Sequence, residues 1–72
     1  MWKCLKTSNN ISQIIEQIQN DIKNGSPVLE NLRFVFTTID NEFIHMLTPF
    51  DLIDNYTENQ IKLISLYQVL NN

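Results

Sequence analysis

The chain has 72 residues, a net charge of −3 and one cysteine. That length holds a single small domain over residues 1–72, and a domain of this size buries only about 60% of its unfolded surface, so a partner or ligand would help it. With 43% hydrophobic and 18% charged residues the composition is globular, and its five basic residues are too scattered for nucleic-acid binding.

No 18-residue apolar run is present, which argues against a membrane span. The opening MWKCLKTSNN lacks the apolar core of a signal peptide. Lone Cys4 permits no internal disulfide and favours a reducing, cytoplasmic setting.

Residues 2–7, WKCLKT, alternate roughly between apolar and polar and predict a short strand. Asn9 or Asn10 can then accept from the free amides of a helix start. Ile11, Ile14, Ile15, Ile18 and Ile22 recur at steps of three and four and form one apolar stripe. Asn24-Gly25 ends that helix, with Gly25 supplying a left-handed cap. Ser26-Pro27 opens a short helical turn over 27–31.

Residues 27–47 admit two readings. Val28, Leu32, Val35, Ile39, Phe43 and Met46 can be joined into a helical stripe, and with it the chain becomes an all-α small helical bundle. Against this, Phe34, Phe36 and Ile44 fall off the stripe, and Val35, Thr37, Thr38 and Ile39 are poor helix formers. Phe34–Ile39 and Phe43–Leu47 read better as strands joined at the turn pair Asp40-Asn41. A two-residue turn there puts Phe34, Phe36 and Thr38 on one face with Phe43, His45 and Leu47. Val35, Thr37 and Ile39 then share the other with Glu42, Ile44 and Met46. Both faces are largely apolar, so each needs cover. The first helix can supply one cover; the last helix or a partner chain must supply the other.

Thr48 and Pro49 open a second helix, as hydroxyl cap and first helical residue. Asn55-Tyr56 breaks it. Thr57-Glu58-Asn59-Gln60 has the capping-box pattern, and Ile61, Ile64, Leu66, Tyr67 and Leu70 predict a third helix after it. The expected fold is therefore α+β: short strand, helix, β-hairpin, and one or two C-terminal helices.

The run from Phe43 through Asp51 resembles the second half of a CBS (cystathionine-β-synthase) domain. In that family a hairpin leads into a helix announced by Gly-x-x-Thr/Ser-x-x-Asp. Here the run is His45-Met46-Leu47-Thr48-Pro49-Phe50-Asp51, preceded by the apolar pair Phe43-Ile44. Thr48 and Asp51 match. His45 stands in place of the glycine, Asn41 in place of the turn glycine, and Thr38 where an acidic residue often ends the first strand. The resemblance covers roughly residues 1–54 and implies a β-α-β-β-α module that pairs with another. It implies too that Thr48 and Asp51 hold the phosphate and ribose of an adenine nucleotide. An imidazole at position 45 competes for the space such a ligand needs. Without the resemblance, Thr48 and Asp51 are accounted for as a helix cap and a first-turn acid facing the helix dipole.

No nucleophile, base and orienting group can be assembled around the single histidine, so an enzyme is not expected. One His and one Cys far apart supply too few ligands for a metal, and Gly25 alone makes no phosphate loop. No cofactor is expected. The leading functional expectation is a non-enzymatic regulatory module, homodimeric, binding an adenine nucleotide near Thr48, Asp51 and His45. The alternative is a small interaction module for a partner protein (an adaptor, inhibitor or immunity-type protein) with no small-molecule ligand.

Overall fold

Four antiparallel strands and two helices make up residues 1–70, the part of the chain that the computed structural model describes. They run in the order β1 (Trp2–Ser8), α1 (Ile11–Lys23), β2 (Leu32–Thr38), β3 (Phe43–Leu47), α2 (Pro49–Asn55) and β4 (Ile61–Val69). Short 3-10 turns at Pro27–Asn31 and Glu58–Gln60 precede β2 and β4. The fold is α+β, and the helical bundle does not occur. Among the described residues no helix is long and apolar enough to cross a membrane.

α1 forms where the isoleucine stripe predicts it. The Asn10 side chain accepts from the Gln13 amide at its start. At its end Ser26 N donates to Asp21 O and Gly25 N to Ile22 O, with Gly25 at φ 65. This pair of bonds closes the helix around a left-handed residue. Ile11, Ile14 and Ile18 are buried against the sheet, with Ile15 and Ile22 packed beside them.

α2 is short, and one side chain anchors it. Leu52 is fully buried, at 0% exposure, among Phe34, Phe36, Ile61 and Ile64. Fully burying a side chain of this size stabilises by about 1.5–3 kcal/mol. A seven-residue helix could not persist on propensity alone.

One expected element is corrected. Residues 61–69 are a strand, and the helix predicted after Thr57 does not form. The start signal is nevertheless real: Gln60 Oε1 accepts from the Thr57 amide at 2.8 Å. It caps only the three-residue turn Glu58–Gln60. β4 then runs between β1 and β2 in a sheet of order β1-β4-β2-β3. A central strand can be apolar on both faces, so its hydrophobic positions satisfy a helical template as readily as a strand.

The hairpin register is corrected in part. Asn41 N donates to Thr38 O and Thr38 N to Glu42 O. The loop is thus the three residues Ile39-Asp40-Asn41, with Asn41 at φ 65. The turn closes on a left-handed residue, and the loop is one residue longer than the pair Asp40-Asn41. The extra residue moves Phe36 opposite Ile44 and Thr37 opposite Phe43. A bulge then restores the expected pairing of Phe34 with Leu47. Two residues, His45 and Met46, oppose Val35 there, and Met46 takes φ 51. Ile44 therefore joins Phe34, Phe36 and Leu47 on the core face. Phe43 and His45, expected on that face, turn outward.

Candidate interaction surface

Both helices pack on one face of the sheet. That face carries Phe34 and Phe36 of β2 and Ile61 and Ile64 of β4, all buried. The opposite face has no covering element among the described residues. Antiparallel pairing places Trp2 of β1 beside Val69 of β4, Cys4 beside Tyr67, and Thr7 beside Ser65. Across β4, Tyr67 pairs with Arg33, Ser65 with Val35, and Leu63 with Thr37. Phe43 completes the row beside Thr37.

This outward face is rich in large apolar side chains. Trp2, Leu63 and Phe43 are exposed, Phe43 to 57%, and Val35 and Tyr67 are half-buried between them. Two of its polar members bond to each other. The Thr7 and Ser65 hydroxyls bond at 2.9 Å, and the Phe43 and His45 rings meet edge to face at 4.4 Å. Among the described residues, Arg33 is the one charged side chain in these paired positions. Its guanidinium donates to the carbonyls of Glu30 and Leu32, at 3.1 and 2.6 Å. No carboxylate of the described residues lies in the outward register of the four strands.

The residues singled out from sequence fall in two places. Thr48 caps α2, its Oγ1 accepting from the Asp51 amide at 3.1 Å. That bond brings Thr48 and Asp51 together through the backbone, and the Asp51 carboxylate stays exposed in the first turn. His45 lies instead on the outward face of β3. Thr48 also borders a shallow depression of about 300 Å³, lined with Leu29, Glu30, Arg33, Pro49 and Phe50. Neither Asp51 nor His45 lines it. Thr38, at the end of β2, is buried and its Oγ1 accepts from the Glu42 amide at 3.1 Å, which ties the hairpin loop.

Leu63, Tyr67 and Val69 escaped the sequence reading as members of this face. Assigning residues 61–69 to a helix hid them. The signal available was composition: Ile61, Ile64, Tyr67 and Val69 are β-branched or aromatic, and such residues favour strands. Among the described residues no three His, Cys, Asp or Glu side chains come together to hold a metal. Compared with known proteins, the chain matches no family model, no curated protein and no solved structure.

Proposed function

We propose that this chain is a non-enzymatic interaction module that works as a homodimer, joined through the open faces of two sheets. The uncovered outward face carries this reading. Water-exposed apolar patches of this extent mark association sites. Four strands of about seven residues, at ~3.3 Å per residue and ~4.8 Å between strands, give a footprint of roughly 19 by 23 Å. That projected area, roughly 440 Å², is about half of the ~800 Å² of accessible surface each partner contributes to a standard interface, and the relief of the side chains adds to it. A second copy suits the face because its described residues hold no carboxylate there. Two chains of charge −3 can meet with their acidic groups elsewhere. The expected arrangement is two-fold, with the sheets about 10 Å apart and their strands roughly aligned. In a reducing, cytoplasmic setting Cys4 stays a thiol on this face.

Light scattering after gel filtration tests the proposal. The expected mass is twice that of the 8.5 kDa chain at micromolar concentration, and Leu63→Lys returns it to one chain. A wild-type protein that stays at the single-chain mass up to about millimolar concentration, where affinity falls to ~4 kcal/mol, rejects it.

A second reading is the regulatory module implied by the CBS resemblance. What supports it is the hairpin leading straight into the Thr48-capped helix, beside a depression that Arg33 also borders. Thr48 spends its oxygen on the cap but keeps a hydroxyl proton to donate to a phosphate. Under this reading AMP or ATP at about 100 times its dissociation constant adds roughly 2.7 kcal/mol to stability. Absence of any melting shift, or an equal shift in Thr48→Val, removes this reading and leaves the dimer untouched.

A further inference from the structure

A second recess lies on the opposite side of the molecule from the open sheet face. It is a groove of about 490 Å³ between α1 and the segment joining α2 to β4. Ile15, Ile53 and Tyr56 line it; each is half-buried, packed on the core from one side and open on the other. The Tyr56 ring is held edge to face against buried Phe36, with centroids 4.8 Å apart. Glu16 and Glu58, both exposed, complete the lining with Gln19 and other polar groups. Among the described residues no lysine or arginine lines the groove.

We propose that this groove docks a basic segment of a partner polypeptide, taking an arginine or lysine side chain of that segment. Charge complementarity argues for this occupant. Two carboxylates without a basic neighbour in the groove's described lining attract a cation, and the net charge of −3 adds to the field. The apolar floor argues for a cation on a long methylene stem, because such a side chain lays its stem on apolar surface and keeps its head at the polar rim. Tyr56 adds a fixed aromatic surface for a guanidinium. A purely apolar helix would leave both carboxylates facing it, and an acidic segment would be repelled. This site does not require the dimer, since it sits on the helical side of the sheet.

The test is a nuclear magnetic resonance titration of the labelled 72-residue chain with a capped six-residue peptide of alternating leucine and arginine. The expected result is movement of amide signals confined to residues 12–19 and 53–58. Binding should weaken about fivefold in the double variant Glu16→Gln, Glu58→Gln, the scale of two exposed charge pairs. Both glutamates are exposed, so unchanged signal dispersion certifies that the variant is folded. No movement, equal binding of the same peptide with glutamate for arginine, or equal affinity in the double variant overturns the proposal. So does spermine, if it produces the same pattern at the same affinity, since the acidic surface would then be attracting any polycation.

Discussion

Phe36 and Tyr56 meet edge to face at 4.8 Å, joining the most deeply buried strand to the residue that ends α2. Such a pair contributes about 0.5–1.5 kcal/mol beyond the area it buries. Tyr56→Leu keeps the apolar bulk and loses the ring geometry. Its expected cost is about 1 kcal/mol by urea denaturation, with the sheet intact by circular dichroism.

Leu52→Ala should be far more severe. The side chain is fully buried, and truncating such a leucine costs about 2–5 kcal/mol. A 72-residue domain has a total stability of only about 4–11 kcal/mol. Thermal melting should show a midpoint lower by roughly 4–8 °C per kcal/mol lost. Loss of helical signal at residues 49–55 should precede loss of the sheet.

The two left-handed residues of the hairpin should respond in opposite ways to opposite substitutions. Asn41 and Met46 both have positive φ, where a side chain costs about 1–2 kcal/mol and glycine costs nearly nothing. Asn tolerates this region better than Met. Met46→Gly should therefore stabilise by about 0.5–1 kcal/mol, even though glycine loosens the unfolded chain. Asn41→Val should destabilise by more than about 1 kcal/mol. Chemical denaturation of both variants checks the sign.

Thr48 offers a cleaner test of a local bond. Its hydroxyl oxygen takes one free amide of α2, so Thr48→Ala should cost about 1 kcal/mol. Thr48→Ser should recover most of the loss. A Ser variant as unstable as the Ala variant would place the contribution in the methyl group instead.

The legible parts of this fold are those written in short-range signals. The isoleucine spacing of α1, its Asn10 and Gly25 ends, the Thr48-Pro49 start of α2 and the β-branched hairpin strands each depend on residues a few positions apart. β4 was illegible for a physical reason. Its apolar residues face the core on one side and the open face on the other, and that two-sidedness erases the alternation that marks a strand. The hairpin register failed for a smaller reason: Ile39 joins Asp40 and Asn41 in the loop, which lengthens it by one. The bulge at His45-Met46 then takes that residue back. That β2 carries apolar side chains on both faces was legible, because Val35 alternates with Phe34 and Phe36. Which side chains face outward was not, because that depends on the loop length.

The central place of β4 also sets an order of events during synthesis. Among the described residues β1 pairs with β4 alone, and β2 needs β4 on one side. While the ribosome is still making residues 57–69, β1 has no hydrogen-bonding partner and the hairpin of β2 and β3 exposes an unpaired edge. An unpaired edge of this kind is open to pairing with a neighbouring nascent chain. The domain therefore cannot mature piece by piece as it leaves the exit tunnel. It closes once, after β4 has emerged, and the long sequence separation between β1 and β4 makes that closure slow compared with a helical domain of equal length.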